Sequence, residues 1–169
     1  IELSYYGASV IHPKTIKPLQ NKGITLYVKS FVDPQAEGTV IQASTLNDHL
    51  IPSFIIKHDQ ILFSISPIDF SFLVEKNLSD IFDRLSKANA KINLMQNSAL
   101  NFSILLDEDK VNTDEILSLF EDTYRVKFNE GLELVTIRHY DQKTIDMLTK
   151  GREVLLQQKT RETARFIVK

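Results

Sequence analysis

The 169-residue chain contains no cysteine, which excludes disulfide staples and thiolate metal sites. Glycine is scarce at five residues, and none of them stands in a GxGxxG or Walker pattern, so no phosphate-cradling loop of either type is expected. No apolar run approaches the roughly 18 residues of a membrane-spanning helix. Lys and Arg occur singly and the net charge is −2, so the basic footprint that nucleic acid or an anionic membrane demands is missing. Neither is an expected partner. His12, His49, His58 and His139 show no metal-ligand spacing. Ser9 and His12 lack the glycine-flanked elbow of a nucleophile pair, and the run Asp107, Glu108, Asp109 lacks the spaced ligands and glycine of a calcium loop. That run reads as a solvated turn, and no metal site is expected. With no acid, base or nucleophile cluster, the chain alone is not expected to be a catalyst.

What is present is an ordinary globular composition, 43% hydrophobic and 25% charged, enough to bury a core and consistent with a cytoplasmic protein. The chain starts at Ile1 in mid-pattern, which suggests a piece of a longer polypeptide. Pro13 suits the first turn of a helix, predicted from Pro13 to about Gln20. Ile24 to Val28 and Thr39 to Ile41 read as strands on either side of a loop that holds Asp33, Pro34 and Gly38. These few elements fit the edge of a larger α/β sheet better than a complete domain. The polar stretch Gln42 to Asn47 is the preferred boundary.

Ile51 to Ile56 reads as a strand that turns back at His58-Asp59-Gln60 into a second strand, Ile61 to Ile65. Leu78, Ile81, Phe82 and Leu85 then recur at helical spacing, with Ser71 or Asn77 as the cap. Ile92 to Leu94 and Phe102 to Leu106 follow as strands. Leu100, Phe102, Ile104 and Leu106 share one face and Asn101 and Ser103 the other, so this sheet is expected to pack on one side. Asn112 with Glu115 starts a second helix, and Val126 to Phe128 supplies another strand. Gln60 to Asn129 thus spells βαββαβ, a ferredoxin-like unit. After Gly131 the order repeats as far as βαββ, from Leu132 to Ile137, a helix from Thr144, Val154 to Leu156 and Ala164 to Val168. Either the second unit is abbreviated or an upstream strand such as Ile51 to Ile56 completes it. In such a unit, the loop after the first strand presents free N–H groups at a helix N-terminus, where a carboxylate is favoured. Asn93 and Asn97 are the nearest polar candidates to meet an ammonium group, or are ordinary surface residues.

The run Glu2-Leu-Ser-Tyr-Tyr-Gly-Ala-Ser-Val-Ile-His-Pro-Lys-Thr15 resembles the segment closing the catalytic domain of aspartokinases. Val28, Ser30, Phe31, Pro34, Gly38 and Thr39 resemble the strand and loop that follow there, and the remainder is similar to that family's paired ACT regulatory domains. The resemblance implies an α+β chain in three parts. Residues 1–44 would be the C-terminal piece of the kinase domain, 45–131 a first ACT domain with its lead-in strand, and 132–169 a second, incomplete or abbreviated. It implies a parent enzyme that phosphorylates the side-chain carboxylate of aspartate from ATP with Mg, cofactors not expected in this fragment. Ser30 and Asp33 would lie in the nucleotide-adjacent loop. An effector, lysine or threonine, would contact Ser71, Val74, Asn77, Leu78, Ile92, Asn93 and Ser98 between ACT units of a homodimer. Asn93 stands where lysine-inhibited members have an aspartate that receives an ammonium group, and Val74 and Asn77 replace a serine and an aromatic. The alternative is an ACT-type dimerisation module that binds no effector.

Overall fold

In the computed structural model of the chain, residues 11–44 and 52–169 are described. Most of the motif that begins at Glu2, including Ser9, lies outside them, as do His49 and Ile51. The chain divides into two compact units. The first takes the described residues of Ile1–Ile55 with Thr136–Lys150 and Gln158–Arg165, and the second takes Ile56–Val135, Gly151–Gln157 and Phe166–Lys169.

In the first unit, helix α1 (Pro13–Asn21) is capped by His12, whose Nδ1 accepts the Lys14 N–H at 3.1 Å. Strands β1 (Leu26–Val28) and β2 (Thr39–Ile41) pair antiparallel with Leu26 opposite Ile41. Gly38 closes the intervening loop at φ +73°, and a Cβ there would collide with the Val28 carbonyl oxygen, so only glycine fits.

The remaining strands are β3 (Ser53–Pro67), β4 (Ile92–Asn97), β5 (Phe102–Asp107), β6 (Tyr124–Arg138), β7 (Val154–Lys159) and β8 (Thr163–Val168). They form one sheet in the order β4-β5-β3-β6-β8-β7. Helices α2 (Glu75–Lys87), α3 (Thr113–Ser118) and α4 (Gln142–Thr149) fall between them. From β3 to β6 the chain order is βαββαβ with the sheet order β4-β5-β3-β6, a ferredoxin-like unit. Its mirror appears at the other end of the sheet, where β6, α4, β7 and β8 give βαββ in the order β7-β8-β6. β3 is the next neighbour of β6, in the position of the upstream strand that the sequence offers to the second repeat.

Two expected breaks are absent. His58-Asp59-Gln60 does not reverse the chain, because Asp59 alone takes a left-handed conformation (φ 52°) and a single such residue kinks a strand without turning it. β6 likewise runs through Gly131 (φ +66°), whose N–H donates to Glu108 Oε2 at 2.9 Å. Nor does the sheet pack on one side, since every residue of β5 is buried. On the helix face, Ile61, Phe63, Ile65, Phe102, Ile104 and Leu106 meet Ile81, Leu85, Ile116 and Phe120. Leu62 and Leu105, of opposite parity, pack with Leu94, Leu132, Leu134 and Ile167. Of the α2 stripe, Ile81 and Leu85 are buried, whereas Phe82 is 39% exposed and lies edge-on to Phe102.

Asn112 caps α3 as expected, accepting the N–H groups of Asp114 and Glu115. α4 starts two residues earlier than Thr144, because the Asp141 carboxylate accepts the Thr144 N–H at 2.7 Å and caps the turn from upstream. Arg84 ties α2 to the segment before β6. Its guanidinium donates to the Leu119 carbonyl and to Asp122, both at 2.6 Å, pairs with Asp80 at 3.0 Å, and lies near the Phe120 and Tyr124 rings. The hydrogen bond to Asp122 and the pairing with Asp80 outweigh partial burial and raise the Arg84 pKa. Arg84→Ala is expected to cost about 1–3 kcal/mol, since it removes charge-assisted bonds and strands a carbonyl. Urea denaturation would show it as a lower midpoint at unchanged m-value.

Candidate functional site

The residues predicted to touch an effector fall into two groups at opposite ends of β4. At one end, β3 leads into the loop before α2. There Phe70 adopts φ 61°, uncommon for a bulky residue, and it and Phe72 are 75% and 71% exposed. The Arg125 guanidinium lies 5.2 Å from the Phe70 ring centroid. The Ser71 N–H donates to Asp69 Oδ1 at 3.0 Å, and the hydroxyl and amide of Ser71 hold the Asp69 carboxyl below its usual range. Ser71 is therefore a loop residue and not the cap of α2. The cap is Val74, which has no side-chain acceptor for the free N–H groups of the first turn. Asn77 supplies the reciprocal contact alone, its Oδ1 accepting the Val74 N–H at 3.1 Å. Leu78 packs on the helix-face core. Ser98 joins this end through the hairpin, since Leu73 N–H donates to the Ala99 carbonyl at 2.9 Å. The Ser98 hydroxyl donates to the Asn101 carbonyl and accepts the Asn101 N–H, both at 3.1 Å.

Ile92 and Asn93 stand at the other end. Ile92 pairs with Leu106 and Leu94 with Leu105, so Asn93 is an extra residue, a bulge, and Ile92 packs on the helix-face core. From Asn93 to Ser98 is five residues of strand, roughly 17 Å.

Around Asn93 lies the most developed polar cluster among the described residues. Asp107 ends β5 opposite Gln60, and its residue is 6% exposed, so the acidic run is not a uniformly solvated turn. Asp107 Oδ1 accepts from Lys57 Nζ at 2.9 Å, Gln60 Nε2 at 2.9 Å and Asn93 Nδ2 at 2.6 Å, while Oδ2 accepts from Lys110 Nζ at 2.9 Å. Asn93 Nδ2 also donates to Gln60 Oε1, and Asn93 Oδ1 accepts from Lys57, both at 2.9 Å. Gln60 Nε2 donates further to the His58 and Asp59 carbonyls, at 2.9 and 3.1 Å. Burial pushes the Asp107 pKa up, but hydrogen bonds from Gln60, Lys110, Lys57 and Asn93 prevail and hold it well below the usual carboxylate range. In sequence, Gln60 and Lys57 carry no sign of this role, because strand parity alone does not reveal a bulge at Asn93 or a kink at Asp59.

In the first unit, the Asp33 N–H donates to Ser30 Oγ at 3.1 Å and Asp33 Oδ1 accepts the Gln35 N–H at 3.3 Å. Both side chains thus shape their own loop, with Phe31 and Val32 almost fully exposed at its tip. A pocket of about 360 Å³ lined by Ile16, Leu19, Ile24, Leu26 and Ile41 has no titratable group in its wall. Among the described residues, no group of three or more His, Cys, Asp or Glu is arranged to hold a metal ion, and no helix is long and apolar enough to cross a membrane.

Two outcomes test this geometry. Asp107→Asn is expected to destabilise the chain by about 2–3 kcal/mol at neutral pH. The native pKa is depressed, so the carboxylate's stabilisation is present above the ordinary value of 3.8 and is lost as pH falls below it. Chemical denaturation as a function of pH should therefore show the gap between wild type and variant narrowing below that value. Val74→Ser should add the missing cap and raise stability by about 0.5–1 kcal/mol, read as a higher melting midpoint.

No protein-family model matches the chain. The lysine-sensitive aspartokinase 3 of Escherichia coli (strain K12) is 28% identical over 144 residues, covering 80% of this chain and 32% of that protein. This chain thus spans about a third of that relative's length. The structure of E. coli aspartokinase III in complex with lysine and aspartate (T-state) superposes with a TM-score of 0.76 at 22% identity, over 97% of this chain and 40% of that one. Clostridium acetobutylicum aspartate kinase gives 0.81 at 17% identity, over 99% and 43%. The C-terminal regulatory domain assigned to aspartate kinase of Porphyromonas gingivalis W83 gives 0.58 at 16% identity, over 70% and 86%. These structural likenesses carry the fold, and the sequence matches carry the ancestry. Across most of its own length, the chain is an aspartokinase homologue that corresponds to a part of those proteins.

Proposed function

We propose that this chain is the regulatory region of a cytoplasmic aspartokinase, with residues 1–44 closing its catalytic domain and the two ferredoxin-like repeats forming ACT domains. The observation that carries this reading is a complete βαββαβ unit with its partial repeat, following α1, β1 and β2, in a chain whose relatives are aspartokinases. The longer protein would phosphorylate aspartate from ATP with Mg. Ser30 and Asp33 are turned onto their own loop, which fits a role in shaping a nucleotide-adjacent segment better than one in holding a metal.

The regulatory step is binding of an amino acid, lysine or threonine, between ACT units of a homodimer. The uncapped α2 N-terminus would take the carboxylate, with Ser71, Val74, Asn77, Leu78 and Ser98 around it. Ile92 and Asn93 lie a strand length away, beyond the reach of one amino acid within a single chain. An effector that touches both groups must therefore take them from different chains. Its control of activity depends on its differential affinity for two arrangements of the dimer.

One observation favours the second reading, a dimerisation module that senses nothing. Asn93 already bonds Lys57, Gln60 and Asp107 of its own chain. Isothermal titration with lysine, threonine and methionine, with sedimentation velocity on the same samples, separates the two. The sensor reading expects a dimer and saturable heat from lysine or threonine at millimolar concentration. A dimer without heat leaves the second reading, and a monomer refutes both.

A further inference from the structure

We propose that Asp107, Asn93 and Gln60 form a receptor for a primary ammonium group, and that Lys57 is its tethered occupant, excluding external amines. The acceptors are oriented in sequence. The two N–H bonds of Gln60 Nε2 are shared among the His58 and Asp59 carbonyls and Asp107 Oδ1, which leaves Gln60 Oε1 to accept from Asn93 Nδ2. Asn93 Nδ2 also donates to Asp107, so Asn93 Oδ1 turns toward the ammonium. Asp107 Oδ1 and Asn93 Oδ1 then converge on Lys57 Nζ, each at 2.9 Å. Gln60 is itself buried at 1% exposure, and the whole set is held by the bulge at Asn93 and the kink at Asp59.

The occupant is less fixed than its receptor. The Lys57 side chain is 28% exposed against 8% for that of Asp107, and two of its three N–H bonds have partners among the described residues. Lys110 binds the other carboxylate oxygen and is 67% exposed, so it neutralises Asp107 without entering the receptor. A flexible four-carbon stem ending in an ammonium is the ligand this geometry selects, and an external alkylamine or ω-amino group has the same chemistry. While Lys57 is in place, such a ligand binds only in the fraction of molecules whose receptor is empty, and its apparent affinity falls by that fraction. As a statement about binding, the proposal stands on the cluster alone. As a statement about effector choice it rests on the regulatory reading, in which Asn93 faces the effector and Lys57 desensitises the chain to amines there.

Lys57→Met keeps most of the stem and removes the ammonium. Thermal melting of wild type and variant with n-butylammonium, against choline at equal ionic strength, tests the receptor without involving the regulatory reading. The variant is expected to melt below wild type and to gain a saturable rise in midpoint from n-butylammonium. Choline, which has no N–H donor, should give no such rise, and neither amine should shift wild type. The double variant Lys57→Met with Asp107→Asn should lose the response. If Lys57→Met does not fold, Lys57→Gln is measured in the same way. A folded variant that does not respond to n-butylammonium, or one that responds equally to choline, overturns the proposal. Titration with L-lysine then separates the two ideas. A variant that responds to n-butylammonium while no amino acid binds either protein leaves the receptor standing and removes the sensor.

Discussion

The carboxylate of Asp107 fixes how three strands meet. It accepts from Lys57 and Gln60 of β3, from Asn93 of β4 and from Lys110 just beyond β5, so one buried charge ties together the edge of the sheet and its interior. A charge in that position is costly unless every lone pair is used. Here the bonds suffice to keep it ionised. They require Asn93 to bulge and Asp59 to kink, because regular strands would direct those side chains elsewhere. The irregularities of β3 and β4 are therefore part of how the charge is accommodated.

Because β5 is buried on both faces, the sheet is organised differently from a simple two-layer unit. The helix face is closed by Ile81, Leu85, Ile116 and Phe120, as the helical periodicity implies. The other face is closed by Leu132 and Leu134 of β6 and by Ile167 of β8, so the second compact unit gathers segments from distant parts of the chain. The ferredoxin-like unit and β8 thus share a core, and loss of this C-terminal strand would expose Leu62 and Leu105 as well as its own residues.

Much of this was legible in sequence because it follows from periodicity. Ile81 and Leu85 at helical spacing, Asn112 before Glu115, and the strand runs Ile61 to Ile65 and Phe102 to Leu106 all lie where the pattern puts them. What was not legible depends on single backbone residues. His58-Asp59-Gln60 has the composition of a turn, and only its pairing partners distinguish a turn from a kink. Leu105 is the one apolar residue on the Asn101 and Ser103 side of the strand, and it packs with Leu62 and Leu94 before it and with Leu132, Leu134 and Ile167 after it. Asp107, inside a run of three acids, resembles a solvated turn until the donors from β3 and β4 are brought to it.

The candidate effector residues fall at the two ends of one strand, and that arrangement adds a physical constraint. The two ends of β4 have opposite chemistry. Near Ser98 is a helix start with free N–H groups and exposed Phe70 and Phe72, and near Asn93 is a carboxylate-anchored acceptor set. The carboxylate of an α-amino acid lies less than a strand length from its α-ammonium and, in lysine, from the ω-ammonium as well, so no single chain satisfies both ends at once. If such a ligand is bound through both, its affinity measures how closely two chains approach. By linkage, the ligand must then stabilise that approach by the same free energy. Sensing and dimerisation are in that case one equilibrium, with Lys57 setting how much of the acceptor end is open to it.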